Sequence, residues 1–239
     1  MRKKSLLFIA FALAALMLAF YGCRDKQMTP AKQYVVEDFF RNPDKVNFSL
    51  SPDGLYYAYM APYKGMMNVF VKEIGKEEAG QLTYDTLRSV YGFFWASNDR
   101  ILYIKDQGGD ENMKLYGVNK DGSNLIALAD FEKVRTEMID DLPDIDDYVI
   151  IGLNKRIPQV FDPYRLNINT GELTMLAENP GNIMGWMTDH NGSLRVAFAV
   201  VDGVNTSILY RDTEDEPFRE ILKTTFKETH DASVFHFRQ

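Results

Sequence analysis

The stretch VNFSLSPDGLYYAYM, Val46 to Met60, decides the fold. Two short runs rich in β-branched and aromatic residues flank Ser51-Pro52-Asp53-Gly54, a string whose Pro and Gly suit a tight turn. The stretch therefore reads as a β-hairpin, and similar hairpins recur along the chain. SNDR (Ser97 to Arg100) and DHNG (Asp189 to Gly192) align with SPDG, with Leu50, Trp95 and Trp186 ahead of the three turns. The second interval is close to twice the first, which predicts a further turn near residue 143. LPDIDDYVIIG, with Pro143-Asp144 before Tyr148 to Ile151, stands there.

Each repeat divides into four strand-like runs. In the first these are VNFSL, LYYAYMA, MNVFVKEIG and QLT; in the fourth they are IMGWM, SLRVAFAV, NTSILYRD and FREIL. A period of forty-odd residues carrying four strands is the signature of a β-propeller blade. One twisted four-stranded sheet cannot bury both faces alone, whereas blades stacked around an axis bury one another. The expected fold is all-β: about four four-stranded blades near residues 46–83, 91–129, 134–177 and 182–222, and the start of a fifth at 232–239. Trp95 and Trp186 read as blade core at the ends of innermost strands. The ring read this way is incomplete, so residues 46–239 are expected to be a partial propeller belonging to a longer protein.

The segment ahead of the repeats has a different character. Arg2, Lys3 and Lys4 precede an apolar run to Tyr21, and Gly22-Cys23 follows, the pattern of an export signal over residues 1–22. Cys23 is the only cysteine, so no intramolecular disulfide forms. Its place resembles a bacterial lipobox, which implies lipidation at Cys23 and anchoring at the membrane surface of the cell envelope. Residues 23–45 read as a tether and a short helix that brings Val35, Val36, Phe39 and Phe40 to one face and stops at Pro43.

Without residues 1–22, 24 Lys and Arg stand against 34 Asp and Glu, a net charge of about −10, which argues against nucleic acid as a partner. No G-x-S-x-G string occurs, and Gly122-Ser123 and Gly192-Ser193 fall in expected hairpin turns. His190, His230 and His236 lack metal-ligand spacing. Asp110, Glu111 and Asn112 offer oxygen ligands but not a full calcium loop, and a polar turn is the commoner use of such residues. No catalytic residue, metal ligand or cofactor is therefore assigned. The connections Pro62 to Met66, Asp106 to Asn112, Lys155 to Pro163 and Asp202 to Asn205 share one rim in a meander. They are expected to be longer and more varied than the opposite turns, and rim loops on a rigid scaffold are favoured binding places.

Three stretches carry a family resemblance: EDFFRNPDKVNFSLSPDG (Glu37 to Gly54), DQGGDENMKLYGVNKDG (Asp106 to Gly122) and YRLNINTGELTMLAENPGNIMGWMTDHNGSLRVA (Tyr164 to Ala197). In this order they resemble the N-terminal propeller of prolyl-oligopeptidase-family serine peptidases, particularly the acylaminoacyl-peptidase and dipeptidyl-peptidase branches. The resemblance implies a propeller that filters peptide access to a C-terminal α/β-hydrolase domain not contained in these residues. In dipeptidyl peptidases of that family a propeller Glu pair holds the substrate amine. Glu77-Glu78 is the one adjacent Glu pair here, but it lies in an expected hairpin turn, and the role is not carried over. The SPDG turn also resembles TolB-like propellers, which leaves an envelope binding or scaffold propeller as the alternative function.

Overall fold

The computed structural model describes residues 31–228. The export-signal and Cys23 expectations, the start of a fifth blade, His230 and His236 lie outside the described residues. The chain forms two units, residues 1–41 and 42–239. In the first, helix α1 (Val36–Phe40) has Glu37 and Asp38 in its first turn, where carboxylates favour the positive end of the helix. None of its residues is buried.

The second unit carries four separate four-stranded antiparallel meanders. Blade 1 is β1 (Val46–Leu50), β2 (Tyr56–Tyr63), β3 (Met66–Glu73) and β4 (Ala79–Gln81). Blade 2 is β5 (Gly92–Trp95), β6 (Arg100–Lys105), β7 (Lys114–Asn119) and β8 (Ile126–Ala129). Blade 3 is β9 (Thr136–Asp140), β10 (Tyr148–Ile157), β11 (Val160–Asn167) and β12 (Leu173–Met175). Blade 4 is β13 (Ile183–Thr188), β14 (Leu194–Val201), β15 (Asn205–Tyr210) and β16 (Arg219–Thr224). Within each sheet the strands pair in chain order, as a propeller meander requires.

Strand alternation explains why these sequences stack. Along β6, Ile101 and Tyr103 join a cluster with Ala58, Met60, Val69 and Val71 of blade 1. Their neighbours Leu102 and Ile104 join Val149, Ile151, Leu153 and Leu166 of blade 3. A blade buried on both faces thus needs a continuous apolar run rather than alternation with polar residues. Trp95 packs against the first cluster and donates its indole N–H to the Ser49 carbonyl at 3.2 Å, joining the innermost strands of blades 1 and 2. Between blades 3 and 4, Arg165 reaches Glu214 at 2.9 Å and the Gly192 carbonyl at 3.0 Å.

The blade 2–blade 3 contact contains one polar strut. Arg100 is buried and donates to the Ile168 carbonyl at 3.2 Å, Asn119 Oδ1 at 2.9 Å and the Asn124 carbonyl at 2.7 Å. Its guanidinium lies over Gly117, where a Cβ would stand 2.5 Å from Nη2. Burial lowers the Arg100 pKa from its ordinary value.

The opening hairpin forms as its residues require. Gly54 N–H donates to the Ser51 carbonyl at 2.9 Å, Gly54 takes a φ of +69°, and Asp53 Oδ1 accepts from Ser51 Oγ and the Leu55 N–H. Two expectations need correction. Trp186 is not at the end of its innermost strand but inside β13, opposite Ala197, because that strand runs on to Thr188. It still packs as blade core, beside Phe218 and the Ile183, Ala197 and Ala199 cluster.

The second-to-third-strand connections are also not the longer set. They span 64–65, 106–113, 158–159 and 202–204, whereas the opposite turns include 51–55, 141–147 and 211–218. Except at 106–113, the strands continue into the rim until a tight turn closes them. Lys64 and Gly65, with φ of 49° and 84°, supply the two left-handed residues that a two-residue hairpin demands.

Candidate functional site

In each meander, the second-to-third-strand connections and the blade-to-blade connections meet at one rim. Three clefts lie along this rim, beside the first residues of the innermost strands β5, β9 and β13. The first, about 670 Å³, is lined by Met66, Arg88, Tyr91, Asp106, Glu111 and Arg135 among others. The second, about 280 Å³, has a largely apolar wall including Tyr91, Gly92, Phe93, Tyr103 and Met138. The third, about 440 Å³, includes Met138, Gly152, Phe161, Met184 and Trp186. Tyr91 is common to the first and second, and Met138 to the second and third, so the clefts run as a row from blade 1 to blade 4.

Arginine–aspartate pairs hold this rim. Arg88, on the connection into β5, donates from Nε and Nη2 to both oxygens of Asp106 at 3.1 and 3.0 Å. Asp106 is buried while Arg88 is half exposed. The Arg88 hydrogen bonds hold the Asp106 carboxyl below its ordinary pKa, and Asp106 in turn raises that of Arg88. In blade 3, Arg156 binds Asp162 through both oxygens at 3.0 and 2.9 Å. Asp162 is buried, accepts the Asn179 N–H at 2.7 Å, and so ties the connection into β13 to the β10–β11 hairpin. Such bidentate pairs, each with its carboxylate buried, fix geometry better than single exposed contacts. Arg135 and Glu137 form a looser pair, 3.6 Å apart and about half exposed on both sides.

Several residues named from sequence are placed plainly. Asp110 accepts the Gln107 and Asn112 N–H groups and the Asn112 side-chain amide, which makes this stretch a self-capped polar turn. Gly122 and Ser123 stand in the β7–β8 turn, where Ser123 Oγ donates to Asp121 at 2.6 Å. Gly192, Ser193 and His190 stand in the β13–β14 turn. Glu77 and Glu78 are exposed in the β3–β4 turn, at the end of the blade opposite the clefts. Sequence reasoning passed over Arg88, Tyr91, Met138 and the Arg156–Asp162–Asn179 link. Arg88 and Asp106 stand on different connections, so their pairing leaves no local motif.

No family model matches the chain. It is 27% identical over 226 residues to dipeptidyl aminopeptidase BIII of Pseudoxanthomonas mexicana, covering 91% of this chain and 33% of that protein. It is also 27% identical over 205 residues to dipeptidyl peptidase family member 6 of Caenorhabditis elegans, covering 80% of this chain and 27% of that one. The chain thus spans about a third or less of the length of these relatives. Among solved structures, a prolyl endopeptidase aligns with a TM-score of 0.55 at 10% identity, over 78% of this chain and 30% of the other. The β-propeller domain of the Trilobed protease from Pyrococcus furiosus aligns at 0.50 and 12% identity, over 74% of this chain and 58% of the other. The chain is a β-propeller whose homologues are dipeptidyl aminopeptidases and dipeptidyl peptidase family members, and whose fold is that of peptidase propellers.

Proposed function

We propose that this propeller is the non-catalytic portion of an exported peptidase of the prolyl-oligopeptidase family, gating or positioning peptide substrates for a separate α/β-hydrolase domain. The observation that carries the reading is the match to a dipeptidyl aminopeptidase across 91% of the chain. The rim supports it physically. A rigid stack of sheets presents three adjoining clefts, and pinned connections keep their walls in place. The protein is exported and held at the cell envelope through a lipidated Cys23, where the acyl chains anchor it without crossing the membrane. Reading the coding region past Gln239 tests the proposal. Further blades followed by a strand–turn–helix bearing G-x-S-x-G are expected. A stop codon directly after Gln239 would remove the hydrolase partner and overturn the reading.

A further inference from the structure

We propose that the row of three clefts is a track for an extended peptide that is neutral or basic, that the middle cleft seats one apolar side chain of it, and that the track discriminates against acidic peptides. The inference rests on the peptide-handling reading above and names the substrate class of that rim. The middle cleft is the anchor. Tyr91, Phe93, Phe94, Ile104, Leu115 and Met138 give it an almost wholly apolar wall, and Gly92 leaves one side open because a Cβ there meets no atom within 4 Å.

Methionine marks the whole row. Met66 and Met113 line the first cleft, Met138 the second and third, and Met184 the third. Unbranched thioether side chains adapt to differently shaped apolar partners, which suits a surface meeting many sequences. Irregular pairing adjoins Met138 and takes Met184 out of the ladder. β9 carries an extra residue between the partners of Ile150 and Ile151, next to Met138. β13 carries one between Ile183 and Gly185, which leaves Met184 76% exposed. Bulges of this kind re-aim side chains next to binding sites.

Charge selects the occupant. Arg88 faces two carboxylates, its hydrogen-bonded partner Asp106 and the exposed Glu111, and Arg135 faces Glu137, so three carboxylates stand against two guanidinium groups around the first cleft. The chain itself carries a net charge of −7. An acidic peptide meets repulsion there, whereas a neutral or basic one does not. An extended peptide presents alternate side chains on one face, the form that adjoining clefts accept.

Fluorescence anisotropy with short capped peptides tests this: a central Phe, the same peptide with Ala, and versions of the Phe peptide flanked by Asp or by Lys. The Phe peptide is expected to bind about tenfold tighter than the Ala peptide, the effect of partly burying one aromatic side chain. Asp flanks are expected to weaken binding and Lys flanks to preserve it. Gly92→Leu fills the middle cleft from open space and is expected to abolish the Phe advantage. On the unaltered chain, a peptide with benzoylphenylalanine at the central position is expected to crosslink to Tyr91 or Met138, a readout that does not depend on any variant folding. Equal binding of Phe and Ala peptides, an unchanged Phe advantage in folded Gly92→Leu, or crosslinks confined to other surfaces overturns the inference. If the coding region past Gln239 holds the hydrolase signature despite such a result, the track alone has failed and the peptidase reading stands.

Discussion

Gly117→Ala tests the blade 2–blade 3 contact at its tightest point. A Cβ at this position would lie 2.5 Å from Arg100 Nη2, 2.9 Å from Cζ and 3.0 Å from Nε, so the guanidinium must move. It has little room to do so, because it is buried and bound to the Ile168 carbonyl of blade 3 and to Asn119 and Asn124 of its own blade. Overpacking a core costs about 1–3 kcal/mol. Losing one charged hydrogen bond, with its acceptor left buried, costs about 1.5–3 kcal/mol more. Alanine recovers about 0.5–1 kcal/mol of backbone entropy relative to glycine in a strand. The net loss is therefore about 1.5–5.5 kcal/mol, read as a lower urea midpoint by Trp fluorescence. Arg100→Met removes the group with which the Cβ collides. The double variant is accordingly expected to be less destabilised than the two single losses added together. A Gly117→Ala midpoint within error of the parent, or strict additivity with Arg100→Met, refutes the reasoning.

Three further outcomes follow from charge and exposure. Asp106 has a depressed pKa, so the stability it contributes is full above the ordinary Asp range and is lost as pH falls through its lowered value. Amide exchange at Gly108 and Gly109 is expected to rise over that acid window, and Arg88→Gln is expected to raise it already at neutral pH. Burial pushes the Tyr116 hydroxyl up to about 12 and that of its stacked partner Tyr103 higher still, so both are expected to resist ionisation in an alkaline absorbance titration. The stability they contribute is full below the ordinary tyrosine value and is lost as pH rises through their raised ones; early ionisation of all 13 tyrosines together contradicts this. Phe48 and Leu50 on β1 are 61% and 63% exposed, and the isolated chain is expected to associate with rising concentration. Light scattering checks this: Phe48→Lys reduces the association, and a sharp monomer for the parent chain contradicts it.

The blade pattern was legible because turn chemistry and strand alternation are local. Ser51 to Gly54 announce their own turn, and Pro143-Asp144 stand where the period requires a repeat. The alternating partners of Ile101 and Leu102 follow once blades are stacked. What stayed hidden depends on distance along the chain. Arg100 looks like the end of a turn, yet its Nε meets the Ile168 carbonyl, which belongs to the next blade. Arg88–Asp106 and Arg156–Asp162–Asn179 likewise join separate connections, and the clefts exist only where those connections converge. Polar residues such as Lys64 and Asp202 have the character of loop in the sequence yet close tight hairpins, so the rim connections are shorter than their composition suggests. Trp186 was displaced in register by strand residues beyond it, which the turn alignment alone does not resolve.

The central claim, that this propeller serves a serine peptidase, is tested most directly on the natural protein. An antiserum raised against the chain, used to isolate the native polypeptide from its source, allows labelling with a fluorophosphonate probe that marks activated serines. The account predicts one polypeptide, well over twice the mass of this chain, that carries the label and loses it on prior treatment with a serine-peptidase inhibitor. A native polypeptide that binds the antiserum and stays unlabelled would contradict it.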